Sequence, residues 1–369
     1  MDWHGHTILA PLTKGGNLPF RRLCVEFGAR VTMSEMAYAR QVCRRSPTEL
    51  ALLRRHPSET AFGVQLAAAQ PEEAIEAAKA AIDRGATFVD VNAGCPIHDV
   101  VRRGMGATLL RRPAALVRLL EAMVAGLPVP VTVKIRLGWC AEEVNAAEIV
   151  ALLQDVGVAA IGVHGRTREQ RYSKAADWQA IAALVAQSRV PIIGNGDILT
   201  HYEGRWRRAE SGCASVMVGR GALMKPWLFQ EVAEDREWLP TAEERVAVYL
   251  RFIAHMKEHF GNDAKGKKKA MFFLPWHMGF FCRYRPLPEA QFGDAARAHP
   301  LLQTRQAHDL EQPPLELILR DARAPVHAAL AEELWESAGL EDALVRLASL
   351  VQRWPASDAE AVEIATAHG

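Results

Sequence analysis

The sequence predicts an α/β fold, a (β/α)8 barrel of the TIM type, followed by a smaller all-helical C-terminal domain. Eight short runs of apolar and β-branched residues recur over residues 7–221, and amphipathic segments separate them. Strands that are covered on both faces show continuous apolar runs of this kind, and eight such β–α units are typical of the barrel. After about residue 235 the strand-like runs stop and only helical patterns follow.

The strand and helix signals alternate along the first two thirds of the chain. The predicted strands are 7–12, 30–36, 61–67, 87–94, 129–136, 159–166, 190–197 and 214–221. A helix is predicted over 71–85, because Pro71 opens it, acidic residues fill its first turn and Gly85 closes it. A second helix is predicted over 145–157. A doubly wound sheet is the alternative, but the first strand ends in APLTKGG rather than in a GxGxxG fingerprint.

The C-terminal third reads as helical. We predict a barrel domain over 1–238, a helical domain over 239–353 and a frayed tail over 354–369. Amphipathic helices are predicted at 241–261, 267–285, 315–339 and 340–354. Residues 286–313 are rich in Pro, Gln, His and Ala with weak periodicity, so they are predicted to form a loop or linker.

Composition bounds the class of protein. Hydrophobic residues make up 49% and charged residues 24%, as in globular proteins. No apolar run approaches the roughly 20 residues that span a bilayer, and the N-terminus lacks the pattern of a signal peptide. We therefore expect no membrane partner and a cytoplasmic location. The six cysteines form no CxxC pair, so we expect no metal site. The oligomeric state is left open, with a monomer favoured.

Charge is distributed unevenly along the chain. Residues 251–285 contain eight Lys/Arg and two acidic residues, a net charge of +6. Residues 286–369 contain six Arg and fourteen acidic residues, a net charge of −8. The asymmetry favours an anionic partner for the basic stretch, with a solvated helix face as the alternative.

Polar residues stand at the ends of the predicted strands, where barrel enzymes build their active sites. Glycines in GNGD (194–197) and VGRG (218–221), after the last two strands, predict a phosphate site. Tight βα turns are the alternative interpretation. Gln65, Lys134 and His164 end the third, fifth and sixth strands, and together they suit a conjugated ring that carries amide groups.

These motifs together resemble the tRNA-dihydrouridine synthases, which carry FMN in a barrel. The matching segments are 10–24, VDVNAGCPIHDVVRRGMGATLL (89–110), VKIRLG (133–138), 163–178, IGNGDI (193–198) and GRGALMKPWLF (219–229). The resemblance covers roughly residues 7–285. HGRTREQRYSKAADW and KPWLF are most similar to the eukaryotic class that modifies the tRNA variable loop.

The resemblance implies reduction of the C5=C6 bond of a uridine in tRNA. A hydride would pass from reduced FMN to C6 and a proton from Cys95 to C5, with NADPH as the implied electron donor. A thiol suits this role because it is protonated at neutral pH and still acidic enough to release its proton. The alternative role for Cys95 is a nucleophile that adds to C6.

The resemblance also implies roles for other residues. Asn92 would hold the target uracil. The implied FMN-binding residues are Pro11, Gln65, Lys134 and His164 at the ring, and Asn195, Gly196, Asp197, Gly219 and Arg220 at the phosphate. The candidate RNA-binding residues are Arg166, Arg171, Lys267 and Lys268. Phe272, Phe273, Trp276 and Tyr284 follow the lysines and could serve either the core or an RNA clamp.

Three alternative functions stay open at this point. A flavin barrel of this type could reduce a small pyrimidine or an enone. The same chemistry could act on rRNA rather than tRNA. A barrel that has lost its activity could bind RNA without catalysis.

Overall fold

A closed parallel β-barrel forms the centre of the molecule. The computed structural model describes residues 1–304 and 312–354. Its strands are β1 (Thr7–Leu9), β2 (Val31–Met33), β3 (Ala37–Tyr38), β4 (Ala61–Ala67), β5 (Phe88–Ala93), β6 (Val131–Arg136), β7 (Ala160–His164), β8 (Ile192–Asn195) and β9 (Ser215–Val218). They pair in the order β2-β1-β9-β8-β7-β6-β5-β4, and a β2–β4 pairing closes the ring of eight. The predicted barrel is confirmed, and each predicted run contains a barrel strand. The short β3 is an addition that pairs with β4.

Helices surround the barrel. They are α1 (Leu18–Glu26), α2 (Ala39–Cys43), α3 (Pro47–Leu52), α4 (Pro71–Ile82), α5 (His98–Arg102), α6 (Pro113–Gly126), α7 (Ala146–Val156), α8 (Trp178–Gln187), α9 (His201–Ser211), α10 (Arg220–Met224) and α11 (Leu228–Glu234), with a 3-10 turn at Gly106–Arg111. The predicted helices α4 and α7 are confirmed. Pro71 opens α4, and Gly157 ends α7 with a φ of 87° that favours glycine.

The helical region follows the barrel. Its helices are α12 (Ala242–Phe260), α13 (Ala264–Ala270), α14 (Leu274–Phe281), α15 (Glu289–Ala298), α16 (Pro314–Leu319), α17 (Ala324–Glu336) and α18 (Leu340–Arg353), with a 3-10 turn at Leu301–Gln303. A capping box between Thr241 and Glu244 starts α12 where the sequence predicted it. The domain boundary at residue 238 stays a prediction. Of the predicted tail, residues 355–369 lie outside the described residues.

Three predicted segments differ in the structure. The helix predicted over 267–285 is divided into α13 and α14, because Pro275 has no N–H and is accommodated only in the first turn of a new helix. The helix predicted over 315–339 is divided for the same reason before Pro325, in the first turn of α17.

The loop predicted over 286–313 contains α15. This helix is held against α9 by tertiary contacts that local periodicity does not reveal. Arg205 pairs with Glu289 at 2.5 Å, and the Tyr202 hydroxyl donates to the Leu287 carbonyl at 3.1 Å. Residues 305–311 of this segment lie outside the described ranges.

The helical region packs against the same end of the barrel at which the strands end. Phe20 of α1 lies edge-on to Phe252 of α12, with ring centroids 5.9 Å apart. The Nδ2 of Asn17, which caps α1, lies 2.9 Å from Nε2 of the buried His277 on α14. These contacts place α14 over the carboxyl ends of the strands. None of the helices in the described ranges is long and apolar enough to cross a membrane.

Candidate active site

A cavity of about 730 Å³ opens at the carboxyl ends of the strands. Twelve of the fifteen predicted site residues line it, namely Pro11, Gln65, Asn92, Cys95, Lys134, His164, Arg166, Asn195, Gly196, Asp197, Gly219 and Arg220. Its opposite wall comes from the helical region and includes Trp276, Phe280, Arg283, Arg285 and Arg320. The cavity therefore has a barrel floor and a helical wall, and its size suits a cofactor-sized ligand.

Strand register brings the floor residues together. Gln65 is the register partner of Asp90, and Asn92 is the partner of Lys134. His164 is likewise the partner of Asn195. Because neighbouring parallel strands place paired residues side by side, polar residues scattered along the sequence become adjacent at one level of the barrel.

A chain of hydrogen bonds links the floor to the cysteine loop. Thr132 Oγ1 and Gln65 Nε2 donate to the two carboxylate oxygens of Asp90, at 2.6 and 2.8 Å. Asn92 Nδ2 donates to Gln65 Oε1 at 2.7 Å, and the Cys95 N–H donates to Asn92 Oδ1 at 2.8 Å. Asp90 can only accept when ionised, so it fixes the amide orientation of Gln65 and, through it, that of Asn92. Burial raises the pKa of Asp90 to about 6, which leaves it largely ionised at pH 7.

Cys95 lies on the loop after β5. Burial raises the pKa of its thiol above the ordinary value, so the thiol carries its proton at neutral pH. The following loop folds back onto it, since the Ala107 N–H donates to the Cys95 carbonyl at 3.0 Å. Gly106 makes this approach possible, because its φ is +60° and a Cβ there would lie 2.8 Å from the Cys95 carbonyl oxygen.

The floor also carries a cluster of cationic and neutral nitrogens. Burial, reinforced by Arg136, lowers the pKa of Lys134 to about 8. The Lys134 ammonium donates no hydrogen bond to any of the residues that the structure describes. Burial and the cations of Arg136 and Lys134 lower the pKa of His164 well below its ordinary value, so its imidazole is neutral. Arg166 Nη1 lies 3.1 Å from His164 Nε2, which assigns the imidazole proton to Nδ1.

Asp197 organises the end of the cavity at β8 and β9. Its carboxylate binds Arg166 at 2.5 Å and Arg220 at 2.9 Å. It also accepts the Ala176 N–H at 2.8 Å. The negative charge of Asp197 would repel a phosphate at close range. Its hydrogen bonds nevertheless orient the guanidinium groups of Arg166 and Arg220. Gly196 leaves room in the same corner, because a Cβ there would lie 2.4 Å from the Ala176 Cβ.

Four predicted RNA contacts occupy different positions. Arg166 lines the cavity, but its side chain is 0% exposed, and Nε donates to the Lys174 carbonyl at 2.6 Å. This placement keeps it away from the outer surface. Arg171 is exposed beside the cavity but does not line it.

The two predicted lysines lie outside the cavity on α13. Lys267 pairs with Glu336 at 2.7 Å and also with Glu332, so its charge is already neutralised within the chain. Lys268 is exposed. No cluster of His, Cys, Asp or Glu in the described part of the chain could hold a metal ion.

Sequence reasoning assigned no role to several residues that the structure brings to the cavity. Arg136 ties the loop after β5 to the loop after β7, because it donates to the carbonyls of Gly94 at 2.9 Å, Thr167 at 3.0 Å and Arg171 at 3.4 Å. Its position in VKIRLG, at the end of a predicted strand, could have indicated that it lies at the site. The wall residues Arg283, Arg285 and Arg320 gave no such signal, since only the folding of the helical region brings them to the cavity.

Comparison with known proteins places this site in a family. The family model described as dihydrouridine synthase (Dus) matches residues 8–284. The chain belongs to the dihydrouridine synthase family. The matched segment runs from within β1 through α14.

Curated relatives refine the position of this dihydrouridine synthase family member. A protein of Xenopus tropicalis named tRNA-dihydrouridine(47) synthase [NAD(P)(+)]-like is 43% identical over 78% of this chain and 45% of the relative. The Homo sapiens protein of the same name is 44% identical over 78% of this chain and 44% of the relative. The predicted resemblance to the variable-loop class is thereby confirmed. The chain spans less than half the length of these relatives.

A solved structure supports the fold of this family member. The chain of a 2-naphthoyl-CoA reductase complex aligns with a TM-score of 0.50 and 14% identity, covering 63% of this chain and 50% of that chain. At this identity the likeness shows the barrel fold alone.

The cavity of this family member fits FMN. Lys134 offers a partly buried cation without a hydrogen-bonding partner in the described ranges, as an electron-rich ring edge requires. Arg220 offers a second cation, beside glycines that leave no room for a Cβ: one at Gly221 would lie 2.2 Å from the Ile198 carbonyl oxygen. A buried cation and a glycine-lined corner with a second cation therefore occur in one cavity, and FMN, with its ring and its phosphate, fits such a donor set.

Proposed function

We propose that this chain is a flavin-dependent dihydrouridine synthase that reduces the C5=C6 bond of a uridine in tRNA. The observation that carries the proposal is that the anchored Cys95 loop lines the same cavity as Lys134. The Cys95 thiol, on the loop after β5, and the Lys134 ammonium, on β6, thus face the same cavity. That pairing suits the addition of a proton and a hydride to one double bond.

FMN, when bound and reduced, supplies the hydride. Gln65, Lys134, His164 and Pro11 would hold its ring, and Asn195, Gly196, Gly219 and Arg220 its phosphate. Asp197 would act on that phosphate indirectly, by orienting Arg220. The neutral His164 could donate from Nδ1, since Arg166 occupies Nε2.

Cys95 acts as the general acid. Its Sγ–H bond breaks as the proton moves to C5, while C6 receives the hydride. The thiolate that remains takes a proton from solvent before the next turnover. A raised pKa keeps the donor form dominant at neutral pH, and this favours the acid role over the nucleophile.

Asn92 serves the same step in two ways. Its Oδ1 fixes the backbone of the Cys95 loop, and its Nδ2 retains a second N–H that could donate to the uracil. The substrate base must leave its stack to reach this depth, which is least costly in a loop of the RNA.

The partners follow from charge and from the relatives. Exposed Lys265, Lys268 and Lys269 on α13 would bind tRNA phosphates, so binding would weaken steeply with salt. The relatives' names support NADPH or NADH as the electron donor and position 47 as the modified site. Residues 239–353 would form the RNA-recognition domain, and the cytoplasm the place of action.

The test uses the purified chain, an unmodified tRNA transcript and NADPH. We expect flavin absorbance in the protein and dihydrouridine in the transcript. Cys95→Ala should retain the flavin and lose product by about 100-fold or more. Cys140→Ala is the matched control, because that cysteine lies outside the cavity lining.

Two results would contradict the proposal. The first is a colourless protein that FMN cannot reconstitute. The second is a reduced enzyme that free pyrimidines or enones reoxidise and tRNA does not; this would favour a small-molecule reductase on the same barrel.

A further inference from the structure

Aromatic residues on one side of α14 and in the turn before it are left partly open by the fold. Phe272, Trp276 and Phe280 are spaced by four residues, and we call them the aromatic strip. Phe272 is 60% exposed, and the other two are half-buried. The opposite side of α14 is buried and packs in the core through Leu274, His277, Met278 and Phe281. Trp276 and Phe280 also touch the core, but the exposed Phe272 contributes little to holding α14 in place.

The strip runs from the outer surface into the active-site cavity. Trp276 and Phe280 line the cavity together with Cys95, and their ring centroids lie 4.7 Å apart. The loop after β1 packs against the middle of the strip, since a Cβ on Gly15 would lie 3.1 Å from the Trp276 ring. The exposed end, at Phe272, lies in the turn between α13 and α14.

Cations accompany the strip at both ends. The Lys14 ammonium lies 4.4 Å from the centroid of Phe272, and the Arg283 guanidinium carbon lies 4.7 Å from the centroid of Phe280. Lys268 and Lys269 are exposed on α13, a few residues before Phe272. Open aromatic faces among positive charges are the combination that binds single-stranded nucleic acid, because bases stack and phosphates pair with the cations.

We propose that the aromatic strip stacks the unpaired nucleotides that adjoin the target uridine, and so guides the RNA strand into the cavity. The inference rests on the proposed function and adds the requirement for unpaired neighbours. A second copy of the chain is disfavoured as the occupant, because two such faces would bring their lysines together. Stacking is tolerant of sequence, so the strip selects single-stranded character rather than particular bases.

Phe272→Ala tests the proposal. We expect the unmodified tRNA transcript to bind at least about fivefold more weakly, the value for one lost stacking contact. The KM for tRNA should rise while kcat stays within twofold, because Phe272 does not line the cavity. Phe272→Tyr should restore affinity. Val345→Ala is the matched control, since Val345 is 67% exposed on α18 and away from the strip.

Salt titration separates stacking from charge. Phe272→Ala should leave the slope of log K against log salt unchanged, whereas Lys268→Ala should reduce it by about 1. A short single-stranded RNA should compete with the tRNA more strongly for the parent than for Phe272→Ala. A duplex of equal length should compete equally with both proteins.

Two outcomes would overturn the proposal. One is a parent that makes dihydrouridine and a folded Phe272→Ala that binds tRNA as tightly as the parent does. The other is a parent that self-associates through Phe272, with Phe272→Ala becoming monomeric at unchanged RNA affinity. A parent that binds flavin and tRNA but makes no product would contradict the proposed function instead, so the two failures are distinguishable.

Discussion

The side chain of Asn92 holds the backbone of Cys95, with Asn92 Oδ1 accepting the Cys95 N–H at 2.8 Å. The same amide donates to Gln65 Oε1 at 2.7 Å, so both of its ends are fixed. The backbone that carries the thiol is thus anchored by a residue on the barrel floor as well as by its own loop.

Replacement of Asn92 should misplace the thiol. Asn92→Ala removes the acceptor for the Cys95 N–H, and we expect product formation to fall by about 100-fold, as a displacement of about 1 Å can cause. Single-turnover rates of the preloaded, reduced enzyme measure the loss. Asn92→Asp keeps the acceptor but not the donor to Gln65, so it should retain more activity. Equal rates for the parent and Asn92→Ala would show that the loop needs no such anchor.

Activity should decline as the pH rises through about 8. The pKa of Lys134 is lowered to about 8, so its cation is lost above that pH, whereas the Cys95 thiol, whose pKa is raised, still carries its proton. A profile of single-turnover rate against pH checks this order. Lys134→Arg keeps its charge and should shift the decline to higher pH. If the rate of Lys134→Arg falls at the same pH as that of the parent, a group other than Lys134 causes the loss of activity.

Breaking the buried pair at Asp197 should destabilise the fold. Its carboxylate is 0% exposed and serves Arg166 and Arg220, so Asp197→Asn leaves buried positive charge without compensation. We expect a loss of about 3 kcal/mol in the free energy of unfolding, measured in urea. Asp155→Asn is the matched control. Its pair with Arg189 is exposed, so its loss should cost roughly 0–1 kcal/mol. Similar costs for the two variants would refute the structural role of Asp197.

Gly106→Ala should combine backbone strain with crowding at the cysteine loop. Gly5→Ala isolates the strain, because its φ is +76° and nothing lies within 4 Å of a Cβ there. We expect Gly5→Ala to cost about 1 kcal/mol of stability and to leave activity intact. Gly106→Ala should cost more and should also lower product formation, because its Cβ would meet Cys95. Full activity in a stable Gly106→Ala protein would show that the loop adapts freely.

The sequence was sufficient for features that depend on local patterns. Apolar runs located the eight barrel strands, and residues at their ends, such as Gln65 and His164, were predicted to share a pocket because parallel strands end at the same edge. The short β3 and α15 escaped prediction, since α15 is held by partners such as Arg205, far away in the chain.

Tertiary partners also decided the state of individual charges. The sequence predicts Lys267 to be an exposed cation, but Glu336, nearly 70 residues later in the chain, pairs with it. Arg166 stands in a motif that resembles an RNA-binding segment, but the fold buries it against Asp197. The aromatic strip lies within a segment predicted as one helix, and only the folding of that segment over the barrel brings Trp276 and Phe280 to the cavity.

The division of the cavity into a barrel floor and a helical wall has a consequence for protein engineering. The residues proposed to carry out the reaction belong to the strands and their loops, whereas Trp276, Phe280, Arg283 and Arg285 belong to one short segment of the helical region. Under the proposed function, exchange of that segment between homologues should change how the RNA strand is held and leave the reductive chemistry of the barrel untouched.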